Sequence, residues 1–207
     1  MSRQTLPAPG TLAIRAVAFD MDGLLIDSER LDRDLWQSAA RQRGLDLPDA
    51  VHASLIGLRE PDSHRRLAEH FGADADLGAM RAEVGEQWEH HALHGGISIK
   101  TGVERTLRLL EAYRIPKALA TSSSRLKAQA SLGSMFRRMD VVVCGEDVAA
   151  GKPAPDIFLR AAEALGVPPS CCLALEDSIN GLRSAQAAGM IAIMVSDLSN
   201  YLAMPDT

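Results

Sequence analysis

The stretch Ala16-Val17-Ala18-Phe19-Asp20-Met21-Asp22-Gly23 decides the fold of this chain. Its first four residues are apolar, which is typical of a short strand buried on both faces of a parallel sheet. Two carboxylates then follow one residue apart, and the alternation of an extended segment points Asp20 and Asp22 the same way. An Asp-x-Asp-Gly sequence is also common in simple turns. Only the rest of the sequence can show whether this segment forms a functional site or a simple turn.

The chain after Gly102 alternates between apolar segments and helical patterns. Strands are predicted at 116–120, 141–144, 171–175 and 191–195, and helices at 103–113, 125–132, 155–165 and 178–188. Ser178 and Asn180 are expected to cap the last of these helices. Strands separated by helices indicate a parallel, doubly wound sheet. The predicted fold class is therefore α/β, with a Rossmann-like core.

The block between Asp27 and Ile99 has a different character, because it shows helical periodicity and no convincing strand. Three helices are predicted there, the first of them capped by Ser28 and stopped by Gly44. The second is expected at about 62–71, and the third begins near 77 and ends at 95–96. We therefore predict an all-helical cap domain at 28–97, inserted into a catalytic core formed by 11–27 and 98–207.

Length and charge restrict the function. The chain has 207 residues, 46% of them hydrophobic, and a formal net charge of -5. An acidic balance without a basic cluster argues against nucleic acid as a partner. The longest apolar run, 190–195, is too short to cross a membrane. These features favour a cytoplasmic enzyme that acts on small molecules. We expect it to be a monomer or a weak oligomer.

Polar side chains follow four of the predicted strands. They are Asp20 and Asp22, Thr121 and Ser122, Lys152, and Glu176 and Asp177. The carboxyl ends of parallel strands meet at one edge of a sheet, so these residues are expected to converge. Four carboxylates and one lysine call for a hard divalent cation, most simply Mg2+. The hydroxyls and the ammonium suit a phosphoryl group, and a carboxylate can serve as a covalent nucleophile.

With these four motifs in this order, the chain resembles the haloacid dehalogenase superfamily, in its beta-phosphoglucomutase-like branch with a helical cap. The matching stretches are 19–29 (FDMDGLLIDSE), 120–123 (ATSS), 151–158 (GKPAPDIF) and 175–181 (LEDSING). The resemblance implies that Asp20 attacks phosphorus and forms an aspartyl-phosphate. Asp22 would protonate the leaving oxygen and later take a proton from water. Thr121, Ser122 and Lys152 would hold the phosphate.

The resemblance also implies a metal site and a role for the cap. Mg2+ would be bound by the Asp20 carboxylate, the backbone carbonyl of Asp22, Asp177 and, directly or through water, Glu176. The cap would exclude bulk water and contact the substrate, a small phosphorylated metabolite. Arg59 is either a substrate contact in the cap or a surface residue.

Two departures from the branch bear on the reaction. Mutases of this branch carry a histidine three residues after the position of Glu29, where this chain has Asp32, and their cap arginine is shifted here to Arg59. Both differences favour a phosphatase acting on a sugar or polyol phosphate over a phosphosugar mutase, which stays open as the alternative. A non-catalytic phospho-acceptor signalling module is a further alternative, although such a module lacks a cap.

Overall fold

The computed structural model describes residues 13–56, 58, 60–72, 75–94 and 97–195. Five parallel strands form one sheet: β1 (Ala16–Phe19), β2 (Lys117–Ala120), β3 (Val141–Val143), β4 (Cys172–Glu176) and β5 (Ile191–Met194). Their order in the sheet is β3-β2-β1-β4-β5. The predicted α/β fold class is confirmed, and each predicted strand is present to within one or two residues.

Eight α-helices lie within the described residues. They are α1 (Glu29–Arg41), α2 (Asp49–Ala53), α3 (Glu60–Phe71), α4 (Leu77–Leu93), α5 (Val103–Ala112), α6 (Arg125–Leu132), α7 (Asp156–Leu165) and α8 (Ile179–Ala187). None of the helices in the described ranges is long and apolar enough to span a bilayer. The short helix α2 was not predicted, because five residues are too few to show a helical period.

Strand β1 has helices on both sides. Ala16 and Ala18 belong to one apolar cluster that includes side chains of α7 and α8. Val17 and Phe19 point the opposite way, into a second cluster with side chains of α5 and α6. A strand covered on both faces has no polar side to expose, which explains its unbroken apolar sequence. The sheet is therefore doubly wound, as predicted.

The helices α1 to α4, here called the cap helices, enclose a third apolar cluster of their own. Leu35, Leu67, Met80 and Trp88 are buried in it. Two chain segments connect the cap helices to the sheet, and they are bonded to each other: Asp27 N donates to Ser98 O at 2.8 Å. The domain boundaries at 28 and 97 stay a prediction.

Candidate active site

The strand order reverses between β1 and β4, which are neighbours in the sheet although β2 and β3 lie between them in sequence. Ligands of open α/β sheets bind beyond the carboxyl ends of the strands at such a reversal. Asp20 directly follows β1, and its N–H donates to Leu175 O at 3.1 Å, which fixes it against β4. Glu176 ends β4 and Asp177 comes next. Three carboxylates thus meet at the reversal.

Lys152 connects two of these carboxylates. Its side chain is 0% exposed, and Nζ donates to Asp20 Oδ1 and Glu176 Oε1, both at 2.5 Å. A third bond reaches Ala120 O at 3.0 Å, so all three ammonium donors are used. Burial alone would lower the pKa of Lys152, but the two carboxylates raise it above its ordinary value. Lys152 is therefore a permanent buried cation.

Carboxylate oxygens of Asp20, Glu176 and Asp177 lie within 4.8 Å of one another. Burial raises the pKa of Asp20 well above its ordinary value; Lys152 opposes this rise, and the neighbouring carboxylates add to it. Burial and neighbouring carboxylates likewise raise the pKa of Asp177. Three buried carboxylates around one ammonium leave an excess of negative charge, and oxygen donors are the ligands that Mg2+ prefers. The donor set therefore fits a hard divalent cation.

Two glycines make room for these carboxylates. A Cβ on Gly23, where φ is +74°, would overlap the Asp177 carboxylate, and a Cβ on Gly181 would overlap that of Glu176. The Gly23 N–H donates to Ile26 O at 3.0 Å and to Ser28 Oγ at 3.2 Å. Ser28 therefore does not cap α1 with its side chain, contrary to our prediction, because its hydroxyl is engaged by the loop after β1.

Asp22 is held by a residue that the sequence analysis did not select. Ser123 Oγ donates to Asp22 Oδ2 at 2.7 Å, across 101 residues of chain. The same Ser123 donates its backbone N–H to Thr121 Oγ1 at 3.1 Å. The run of three serines after Thr121 signalled hydroxyl donors, but the sequence could not show which serine meets the aspartate.

The predicted phosphate ligands follow β2. Thr121 is fully buried, and its N–H donates to Val143 O at 3.0 Å, so its position depends on the neighbouring β3. Ser122 faces the cavity. The structure thus brings seven of the predicted site residues to one edge of the sheet: Asp20, Asp22, Thr121, Ser122, Lys152, Glu176 and Asp177. The eighth, Arg59, lies outside the described residues.

A cavity of about 750 Å³ lies between this edge and the cap helices. Ligand cavities of enzymes typically measure about 300–1,000 Å³, so a small metabolite fits. The chain's two tryptophans, Trp36 and Trp88, both line the cavity. Asn180 Nδ2 donates to Ile56 O at 3.2 Å and so joins α8 to the cap side. Its side chain therefore does not cap α8, contrary to our prediction, whereas Ser178 Oγ does so by accepting from Gly181 N at 3.0 Å.

Two further polar features of the cavity were missed as site elements. Burial, together with the charges of Asp22 and Asp32, raises the pKa of Glu29 to about 8. Asp32 Oδ2 accepts a hydrogen bond from His52 Nε2 at 3.1 Å. Glu29 is part of the quoted motif at 19–29, so its place in that motif could have identified it as a site residue. His52 lies on the unpredicted helix α2, so nothing in the sequence linked it to Asp32.

The comparisons with known proteins agree with this geometry. A family model for haloacid dehalogenase-like hydrolases matches residues 14–189. The chain is 38% identical over 197 residues to a Drosophila melanogaster protein named probable pseudouridine-5'-phosphatase, covering 86% of this chain and 80% of that protein. It is 31% identical over 179 residues to the phosphorylated carbohydrates phosphatase of Thermotoga maritima, covering 86% and 82%. Among solved structures, a CbbY mutant of Rhodobacter sphaeroides in complex with xylulose-(1,5)bisphosphate superposes with a TM-score of 0.77 at 26% identity, over 90% of this chain and 88% of that chain.

Proposed function

Since the chain belongs to the haloacid dehalogenase-like hydrolase family and is a phosphoric monoester hydrolase, we propose that it hydrolyses a sugar or polyol phosphate through an aspartyl-phosphate on Asp20. The observation that carries the proposal is the buried cluster of Asp20, Lys152, Glu176 and Asp177 at the edge of a cavity bounded by the cap helices. Phosphoryl transfer needs positioning and charge neutralisation more than further reactive groups. This cluster provides both.

Asp20 is the nucleophile of the proposed reaction. Its carboxylate oxygen forms a bond to phosphorus, while the bond between phosphorus and the substrate's leaving oxygen breaks. The Lys152 ammonium, in contact with Asp20, offsets negative charge on the phosphoryl oxygens. Thr121 and Ser122 hold those oxygens with their hydroxyl and backbone donors.

Asp22 is the proton donor and acceptor. It lies two residues after the nucleophile, and Ser123 fixes the direction of its carboxyl group. It protonates the leaving alkoxide in the first step. In the second step it takes a proton from water, whose oxygen bonds to phosphorus while the bond between phosphorus and the Asp20 oxygen breaks, which releases inorganic phosphate and restores the Asp20 carboxylate. An alkoxide is a poor leaving group, so a sugar or polyol phosphate depends strongly on this proton.

The metal ligands of the proposal are Asp20, Asp177, the backbone carbonyl of Asp22 and, directly or through water, Glu176. Mg2+ held by these residues would supply positive charge for phosphoryl transfer and would offset the excess of buried carboxylates. The chain's own part is to hold these oxygens together, which Gly23 and Gly181 permit by lacking a Cβ.

The test is phosphate release from a panel of sugar, polyol and nucleoside monophosphates, with Mg2+ or with a chelator. We expect release that requires Mg2+, continues over many turnovers, and falls by about a thousandfold or more in Asp20→Asn. Asp34→Asn is the matched control, because Asp34 lies on α1 with its side chain 57% exposed and does not line the cavity. Its activity should equal that of the wild type.

Three outcomes would contradict the proposal. Full turnover by Asp20→Asn would exclude Asp20 as the nucleophile. A single turnover that stops at a phosphorylated protein would favour the signalling module. Conversion of a hexose 1-phosphate to its 6-phosphate without phosphate release would establish the mutase. The cytoplasmic location and the monomeric or weakly oligomeric state stay predictions.

A further inference from the structure

The cap end of the cavity contains a hydrogen-bonded carboxylate–imidazole pair that the proposed chemistry does not use. His52 is 4% exposed and lies on α2, and its Nε2 is 3.1 Å from Asp32 Oδ2 on α1. The Asp32 side chain is 31% exposed, and both residues line the cavity. His52 holds one carboxylate oxygen and so fixes the orientation of the group, while the exposed part of the Asp32 side chain faces the cavity.

Asp32 carries a negative charge at neutral pH. Burial would raise the pKa of its carboxyl group, but the hydrogen bond from His52 and the Lys127 ammonium together hold that pKa below its ordinary value. An ionised carboxylate can only accept hydrogen bonds. A ligand that meets Asp32 must therefore offer a hydroxyl or an N–H group.

Acidic side chains outnumber basic ones around Asp32. Away from the metal-binding carboxylates, the described lining contains three acidic and two basic side chains: Asp32, Glu60 and Glu89, and Arg81 and Lys127. Glu29 also lines the cavity, but its pKa of about 8 leaves it mostly protonated at neutral pH, so it is not counted here. Arg81 is paired with Glu60, and the Lys127 ammonium lies 3.8 Å from the ring centroid of Trp88. In the described wall, Glu60 thus offsets the charge of Arg81, and Asp32 lies close enough to Lys127 for the ammonium to lower its pKa, so each cation has an acidic neighbour.

From these contacts, and resting on the proposed phosphatase function, we propose that Asp32, positioned by His52, determines substrate specificity. It accepts a hydrogen bond from a hydroxyl or ammonium group of the leaving alcohol. It also selects phosphomonoesters whose leaving group is uncharged or cationic, and it rejects those that carry a second anionic group. This differs from what the CbbY likeness would suggest, because that structure holds a bisphosphate.

The experiment uses three para-substituted phenyl phosphates of nearly equal size, carrying an aminomethyl, a hydroxymethyl or a carboxylate group. We expect kcat/KM to fall in that order for the wild type. Asp32→Asn keeps the shape and removes the charge, so the aminomethyl ester should lose about threefold and the carboxylate ester gain about threefold, compressing their ratio about tenfold. A ratio of rates is insensitive to a loss of folded protein. Asp34→Asn, on the outer side of the same helix, should leave the ratio unchanged.

Equal rates for the three esters, a preference for the carboxylate, or an unchanged ratio in Asp32→Asn would overturn the inference while leaving the phosphatase function intact. If none of the esters is hydrolysed, the affinities of the three esters test the Asp32 assignment instead. Both tryptophans line the cavity, so their fluorescence in Asp20→Asn reports occupancy without turnover. Affinities in the order aminomethyl, hydroxymethyl, carboxylate, with a smaller spread once Asp32→Asn is added, would then support the Asp32 assignment although the phosphatase proposal had failed. Affinities without that order would refute the assignment.

Discussion

Replacing Lys152 with methionine tests whether the buried ammonium is the counter-charge of the site. The side chain is fully buried and bonded at 2.5 Å to each of two carboxylates, so Lys152→Met leaves both without their cation. Breaking a buried ion pair by removing one partner costs about 3–5 kcal/mol. We expect that loss in the free energy of unfolding, measured by urea titration at pH 7 with a chelator present.

The loss should depend on pH. Without Lys152, the pKa of Asp20 rises further above its unfolded value, and a group with a raised folded pKa contributes stability at low pH that is lost as the pH rises. The difference between wild type and Lys152→Met should therefore be smaller at pH 5 than at pH 8. Adding Glu176→Gln removes one of the two stranded charges and should restore part of the stability.

Lys117→Met is the matched control, because Lys117 is also buried, with 6% of its side chain exposed. Its ammonium lies farther from its partners, 3.5 Å from Asp140 and 3.8 Å from Glu111, and both carboxylates are solvent-exposed. Exposed carboxylates that lose a partner are solvated by water, so this variant should lose only about 1 kcal/mol. If Lys152→Met cost no more than Lys117→Met, the buried ion pairs would not be holding this site together.

Two further predictions concern the cavity walls. The pKa of Glu29 is about 8 in the folded chain against 4.5 ordinarily, so this residue contributes stability below pH 4.5 that is lost as the pH rises through 8. In chelator, the free energy of unfolding of Glu29→Gln should therefore rise relative to that of the wild type by about 2–3 kcal/mol between pH 6 and pH 8.5, as followed by thermal unfolding. A difference that stays constant with pH would contradict the assignment. Asn180→Ala removes the hydrogen bond to Ile56 O between α8 and the cap side, worth about 1 kcal/mol, and should lower kcat/KM about fivefold. Unchanged kcat/KM would mean that this contact does not help to place the cap helices over the substrate.

The sheet is predictable because its strands are short apolar runs that end in polar residues. Both signals are local, and they are enough to locate Asp20, Thr121 and Glu176 at strand ends. The partners of these residues are not predictable in the same way. Ser123 reaches Asp22 across 101 residues, and nothing near either residue records that pairing.

The same limit applies at the cap. Its apolar periodicity gave three of the four helices, but α2 is too short to show a period, and His52 lies on it. Because α2 was not predicted, Asp32 could be interpreted only as the absence of the histidine that related mutases carry at this position. The structure shows a specific pair in its place, Asp32 with His52.

This pair bears on whether the phosphoryl group goes to water or back to a sugar. A mutase passes the group from its aspartate to a second hydroxyl and so must hold a sugar bisphosphate, with one phosphate at the metal end and the other toward the cap. Asp32, kept ionised by its neighbours, cannot donate a proton there, and it repels a phosphate. One side chain thus opposes the second phosphate that a mutase must hold, whereas hydrolysis of a monophosphate does not require that second phosphate. Hydrolysis is therefore the outcome that this cap end favours.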